Sequence, residues 1–346
     1  PPASADVILS TARLNRIIEH VWADLTVTVE AGCTIQNLQA ALAQHGQRLA
    51  LDPLWPGQAS VGGVLSANDS GALRLRFGAP RDLIIGVTLA LPDGTLARSG
   101  GKVVKNVAGY DLPKLATGAF GTLGVVTRAV FRLHPLPRST RTLSISADSL
   151  PAAQSMLLAI QDCTLAHTAM QLRCAPPDFP FLDILFESTE EGLAAQEEQL
   201  RQLVSPARVA QIPSNVWNAR EQLWSHEDAN AIVKLSVLPA SIASTLEALH
   251  HSANSRSMAW RAVAQATGIV FVRLQGLPQI LHSLLLDLRT TLQSQGASLV
   301  VLRRPANMPA LDAWGQLPDS LPLMRAVKQQ LDPNGTLNPG RFLGGI

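Results

Sequence analysis

Polarity alternates from Leu25 onward: Val27 and Val29 share one face while Thr26, Thr28 and Glu30 take the other, the pattern of a half-buried strand. Gly32 breaks it. Thr34 then stands as an N-cap before Ile35, Leu38, Ala41 and Leu42, whose spacing predicts a helix that Gly46 ends. A short strand over 49–51 completes a small α+β unit. Residues 82–91 form a continuous apolar strand suited to a covered sheet, and Pro92-Asp93-Gly94 turns the chain into a further strand at 95–97. A short helix over 111–115 leads to a β-branched strand that starts at Val125. Beyond Pro137 glycine thins out. Strands at 140–147, 182–186, 232–238 and 269–274 alternate with helices at 190–203, 241–250 and 279–295, which predicts a second α/β layer without internal repeats. Residues 324–341 begin as a helix and end in turns, because Pro333 and Gly335 take turn positions and Pro339 keeps Asn338 out of helical space.

The totals narrow the class. A chain of 346 residues has room for two domains and a substantial core. Charged residues make up 16% and the net charge is +2, which excludes a basic face for nucleic acid. Cys33, Cys163 and Cys174 are too few and too scattered for a zinc or iron-sulfur site, so no metal is expected and the thiols read as core or half-exposed groups of a reducing cytosol. The opening lacks a signal-like segment, and no apolar run approaches the roughly 18–20 residues that span a bilayer. The expectation is a soluble, cytoplasmic protein. A 47% apolar fraction fits either a large core or a surface buried on a partner.

The densest chemistry lies between Gly100 and Pro137. Gly118, Gly121 and Gly124 follow a G-x-x-G-x-x-G spacing that opens a strand, whereas a dinucleotide fingerprint is G-x-G-x-x-G opening a helix. Glycines here present backbone amides to a phosphate or a heteroaromatic ring, or simply make a tight turn. Ser60-Val61-Gly62-Gly63 and Asn68-Asp69-Ser70-Gly71 are two further small-residue loops, open to the same pair of readings: amides brought near a pyrophosphate, or plain turns.

The run Lys105-Asn106-Val107-Ala108-Gly109-Tyr110-Asp111-Leu112, followed by Gly118-Ala119-Phe120-Gly121-Thr122-Leu123-Gly124-Val125-Val126-Thr127, resembles the flavin-contacting segment of the vanillyl-alcohol-oxidase superfamily with its PCMH-type FAD-binding domain. Within that superfamily it looks most like the FAD-binding subunits of bacterial glycolate oxidase. Ala59-Ser60-Val61-Gly62-Gly63 resembles the second flavin loop, and residues 331–341 match the terminal motif. The resemblance is dense over 25–138 and 324–342.

It implies an α+β fold: a PCMH-type FAD-binding domain of two α/β subdomains over 1–138, an α/β cap domain over 139–322, and a segment, 323–346, returning to the first domain. It implies FAD as cofactor. By the family pattern Ser60, Val61, Gly62, Gly63, Ser70, Gly71, Lys105, Gly109, Tyr110, Gly118, Gly121, Thr122, Leu123, Gly124, Val126, Asn338 and Arg341 lie along it. Judged alone, Lys105 is equally a solvated surface lysine and Arg341 part of a simple terminus. The family's first pyrophosphate loop would precede Asp6, so the expectation is either a truncated chain or an incomplete nucleotide site.

No His-x-Gly-Asp-Gly-Asn-like motif of catalytic subunits is present, and the histidines lack paired ligand spacing, so no catalytic residue is assigned. Arg303 and Arg304 are candidates for a carboxylate clamp, against the plainer reading of a strand end facing solvent. The resemblance implies a complex that oxidises glycolate to glyoxylate, with a catalytic flavoprotein subunit, an iron-sulfur subunit and a quinone-type acceptor, peripheral at the inner face of the cell membrane. Two alternatives stay open: a self-sufficient D-lactate-type dehydrogenase, and a non-catalytic assembly subunit with a decayed flavin site.

Overall fold

The structure, a computed structural model, describes residues 5–102, 109–178, 180–224 and 230–346. The chain divides into two compact units, Pro1–Leu136 with Leu317–Ile346, and Pro137–Gln316.

In the first unit β1 (Ile17–Val21), β2 (Thr26–Glu30), β4 (Ile84–Ala90), β5 (Leu96–Gly100) and β6 (Val125–Arg132) form an antiparallel sheet in the order β1-β2-β6-β4-β5. Helices α1 (Ile35–Ala43) and α2 (Val61–Ala67) bury Ile35, Leu38, Leu42, Val61, Val64 and Leu65 in one core with Val27, Val29, Val126 and Phe131. Thr34 caps α1 as its sequence position predicts, its hydroxyl accepting from the Asn37 amide at 3.2 Å. Strand β2 departs from the half-buried expectation because Thr26 and Glu30 are buried as well. Arg16 covers that polar face: its amide and guanidinium donate to the Glu30 carboxylate at 2.9–3.2 Å. These hydrogen bonds hold the Glu30 carboxyl below the usual carboxylate range.

Three local expectations shift. The short strand falls at β3 (Gln47–Arg48), paired with β7 (His134–Pro135), while Leu49, Ala50 and Leu51 are core residues outside any strand. The apolar strand begins two residues late, because Pro80 and the Asp82 carboxylate, which accepts from the Ala79 amide, first form the helical turn α4 (Pro80–Leu83). The stretch 60–63, expected as a loop, is instead the Ser60 cap and first turn of the helix α2. Two more short helices, α3 (Arg74–Phe77) and α5 (Leu112–Ala116), complete the N-terminal part, the latter capped by Asp111.

The second unit is built from two βαββαβ halves: β8 (Ser139–Ser146), α6 (Leu150–Asp162), β9 (His167–Cys174), β10 (Phe181–Ser188), α7 (Glu190–Leu203) and β11 (Val209–Gln211), then, after the short α8 (Ala219–Gln222), β12 (Asn230–Ser236), α9 (Ile242–Asn254), β13 (Ala259–Gln265), β14 (Ile269–Gln275), α10 (Pro278–Ser294) and β15 (Ser298–Arg303). All eight strands pair antiparallel in one sheet, β11-β8-β10-β9-β13-β14-β12-β15. The order 4-1-3-2 of the first half meets its mirror 2-3-1-4 through β9 and β13, so the topology repeats where the sequence shows no repeat. The long helix α11 (Leu321–Leu331) belongs to the first unit. Among the described residues no helix is long and apolar enough to cross a membrane.

Candidate functional site

A cavity of about 780 Å³ opens in the first unit. Three walls come from the start of α2 (Ser60, Gly62, Gly63, Ser66), the turn into β6 (Phe120, Gly121, Gly124, Val125, Val126) and the segment after α11 (Thr336, Leu337, Asn338, Pro339). Residues 5–9 and Thr11 run along its mouth. Asp6 is the one ionisable residue among the described residues that line it.

The glycines work mainly by letting elements approach. A Cβ on Gly62 would stand 2.9 Å from the Ala31 Cβ, and one on Gly124 would stand 3.3 Å from the Leu89 Cβ. Both directions point into the sheet, so α2 packs close against it and the turn into β6 packs close against β4, with backbone left on the cavity side. The amides of α2 are already engaged: Val61 and Gly62 donate to the Cys33 and Ala31 carbonyls at 2.9 and 2.7 Å, and Gly63 donates to the Ser60 hydroxyl at 3.2 Å. The expected amide cradle at Ser60-Gly63 is therefore a backbone wall with one capping hydroxyl.

The turn into β6 is strained. Phe120 and Gly121 both lie in the left-handed region, φ 53° and 70°, which costs a non-glycine residue about 1–2 kcal/mol. Tertiary bonds hold it: the Phe120 amide donates to the Ser66 carbonyl at 2.9 Å, its carbonyl accepts from Asn338 Nδ2 at 2.7 Å, and its ring lies 5.9 Å from that of Phe342. A Cβ on Gly121 would come within 2.9 Å of Asn338 Nδ2. The third wall hangs on Asp332, 1% exposed. Its carboxylate accepts from the Thr336 amide and hydroxyl at 3.0 and 2.9 Å, from the Leu337 amide at 2.8 Å, and from Lys328 Nζ at 2.5 Å. Burial opposes its charge, yet these donors prevail and hold its carboxyl down at about 2.

Of the residues singled out in the sequence, Ser60, Gly62, Gly63, Gly121, Gly124, Val126 and Asn338 come together at this cavity. Val61, Thr122 and Leu123 are buried beside it rather than lining it. Gly118 packs against Asn68. Ser70 and Gly71 form a turn over Asp52, whose carboxylate accepts from the Gly71 and Leu73 amides at 2.9 and 3.1 Å; they do not reach the cavity. Arg341 is exposed, its amide donating to the Asn338 carbonyl. Tyr110 is 90% exposed, and its carbonyl accepts from Ser99 Oγ at 2.7 Å; Gly109 beside it also lies away from the cavity. Lys105 lies outside the described residues. Arg303 ends β15 and Arg304 donates to the Met308 carbonyl, both in the second unit. Ser66, Phe120, Val125, Thr336, Leu337, Pro339 and the mouth residues were not anticipated. Phe120 stood inside the quoted glycine motif, and Thr336 and Leu337 inside the terminal one.

The three cysteines are free thiols; Cys33 and Cys174 are buried, and burial pushes Cys174 up to about 12. No group of three or more His, Cys, Asp or Glu side chains able to hold a metal occurs among the described residues.

The residues present fit a flavin nucleotide. The volume lies within the roughly 300–1,000 Å³ of small-molecule sites, Gly62, Gly63, Gly121 and Gly124 put backbone without side chains on its walls, and Ser60, Ser66, Thr336 and Asn338 add polar residues to the lining beside Asp6 and Thr11 at one edge.

Comparison with known proteins agrees. The FAD binding domain family matches residues 2–100, and the C-terminal domain of the FAD linked oxidases matches residues 316–342. FAD is the cofactor these matches assign to the chain. Glycolate oxidase subunit GlcD of Bacillus subtilis is 35% identical over 44% of this chain and 32% of its own length, and glycolate oxidase subunit GlcE of Escherichia coli is 35% identical over 37% of each. The chain spans about a third of the length of the curated relatives it matches first. An alkyldihydroxyacetonephosphate synthase structure shares the fold, with a TM-score of 0.72 at 16% identity over 96% of this chain and 67% of that one.

Proposed function

We propose that this chain, which carries an FAD binding domain and the terminal motif of the FAD linked oxidases, is the FAD-binding subunit of a glycolate-oxidase-type complex that oxidises a small 2-hydroxy acid, glycolate to glyoxylate. The observation that carries the reading is the convergence of Ser60–Gly63, Phe120–Val126 and Thr336–Asn338 on one cavity, because the first and third lie inside the matched segments. The flavin would supply the two-electron acceptor chemistry. The chain's own part is to bind and orient it. The α2 backbone and the Ser60 hydroxyl would hold one side, the strained Phe120-Gly121 turn would stack its backbone along another, and Asn338 would close the third.

In this reading a catalytic flavoprotein subunit oxidises the substrate, and this chain would hold a flavin able to pass electrons on toward an iron-sulfur subunit and a quinone-type acceptor. The test is the visible spectrum of the purified full-length protein, followed by turnover of glycolate with an artificial acceptor, alone and with the sister subunits. Close to one FAD per chain, with turnover only in the complex, is the expected result. A colourless protein that still assembles would overturn the flavin assignment, and turnover by the isolated chain at the rate of the complex would overturn the division of labour.

A further inference from the structure

The geometry points to the Lys328–Asp332 pair as the positioning element of the flavin cavity, an assignment that rests on reading that cavity as the FAD site. Neither side chain lines the cavity. The Lys328 side chain is 12% exposed, and its ammonium directs its three donors to three places: Asp332 Oδ2 at 2.5 Å, the Leu337 carbonyl at 2.9 Å and the Thr122 carbonyl at 2.8 Å. Asp332 answers from the end of α11 with both oxygens on Thr336 and Leu337.

One ion pair thereby ties together α11, the turn into β6 and the loop that follows α11. The next residue is Asn338, held at φ 44° with its amide on the Phe120 carbonyl. The pair thus fixes the register between the two walls that Phe120 and Asn338 contribute. Within the loop itself Asn338 supplies one bond to the turn into β6, and the segment leading to it, which includes Gly335 at φ 63°, is held at Thr336 and Leu337 by the pair. Without the pair a ligand must order the loop as it binds, and its apparent affinity falls by the fraction of molecules in which the loop is already in place. A competent fraction of roughly 1–10% corresponds to a Kd raised about 10–100-fold.

The experiment is FAD titration of the full-length, flavin-stripped protein as wild type, K328M, D332N, N338A and D332N/N338A, with amide hydrogen exchange measured on the flavin-free forms. K328M and D332N should each raise the FAD Kd about 10–100-fold and speed exchange at Thr336 and Leu337, leaving the β2 amides unchanged. Because Asp332 acts through Asn338, the double variant should bind no more weakly than the weaker single one. Normal FAD affinity in both pair variants, or additive losses in the double, would overturn the positioning role. Wild-type protein that takes up no FAD would sink the cavity's reading. In that event faster exchange in the variants would leave the pair as a loop clamp without a flavin role, and unchanged exchange would remove even that, so the proposal falls either way while the two failures stay distinct.

Discussion

Gly62→Ala sets two effects of opposite sign against each other. Alanine in place of glycine inside a helix gains up to about 1 kcal/mol of propensity. Against it, the new Cβ would stand 2.9 Å from the Ala31 Cβ and 3.2 Å from the Ala31 carbonyl oxygen, where Ala31 is fully buried and cannot yield. Helix α2 has to retreat from the sheet, which strains a packed core by roughly 1–3 kcal/mol. The same retreat stretches the 2.7 Å bond from the Gly62 amide to the Ala31 carbonyl, worth about 0.5–1.5 kcal/mol. Collision wins, with a net loss of about 1–3 kcal/mol. Gly63→Ala is the internal control, since its Cβ meets only the Ser60 Oγ, at 3.2 Å, and it should stay within about 0.5 kcal/mol of wild type. Urea denaturation followed by far-UV circular dichroism compares the two, and FAD titration reads the displaced wall. If Gly62→Ala is as stable as Gly63→Ala, the close approach of α2 to the sheet does not need a glycine and the account of that wall is wrong.

Ser60→Ala, at a residue that lines the cavity, removes the hydroxyl that caps α2 and should cost about 1 kcal/mol in urea together with a weaker grip on FAD; unchanged stability would mean the cap is idle. Asp332 has a folded pKa depressed to about 2, so its contribution is complete above the unfolded value near 4 and is lost as pH falls from about 4 toward 2. Wild type should lose about 2 kcal/mol across that window more than Asp332→Asn does, and parallel pH–stability curves would contradict the depressed carboxyl. In the second unit Asp183 is fully buried and accepts from Ser144, Gln171 and Arg173, the last through two nitrogens. Asp183→Asn should cost about 3 kcal/mol, the low end for a broken buried pair because Arg173 reaches solvent; a loss under about 1 kcal/mol in urea would refute the pairing as a stability element.

What the sequence disclosed of the site is what local chemistry encodes. Gly121, Gly124 and Asn338 are legible because tight turns and close backbone approach select glycine and asparagine whatever lies around them. The errors come from partners far along the chain. Ser70-Gly71 looked like a phosphate loop, yet the groups that shape it are the oxygens of Asp52, 19 residues earlier at the nearer bond. Asp332 looked like the first residue of a proline turn, and its larger role depends on Lys328 meeting the Thr122 carbonyl 206 residues away. Hydrogen bonds of that range leave no spacing to read. Glycines at the second and third positions of α2 argue against a helix, and only buried Ala31, 2.9 Å from a Cβ at the second position, explains why that position is glycine.

The second unit shows the same limit in a different form. Strand β9 carries no alternation to mark it, because Ala169 and Gln171 are buried as well as Met170 and Leu172 and burial runs through both faces. Gln171 can be buried because its amide nitrogen reaches Asp183 and the Val216 carbonyl, a solution available only once β10 and the segment before α8 are in place. Strand β13 has a related cause: Ala262, Val263, Ala264 and Gln265 are consecutive buried residues, and Gln265 pairs directly with Gln171 across the seam between the halves. Strands β12 and β14 are buried on both faces too, but their runs of Ile, Val and Phe still mark them, whereas β9 and β13 interpose Ala and Gln that carry little strand signal. Strands β9 and β13 are the ones that join the halves. Each would be an exposed edge of its own four-stranded sheet, and pairing them removes both edges at once. The halves should accordingly unfold as one sheet, because separating them would expose Trp260, Ala262 and Leu172 along with two unpaired strand edges.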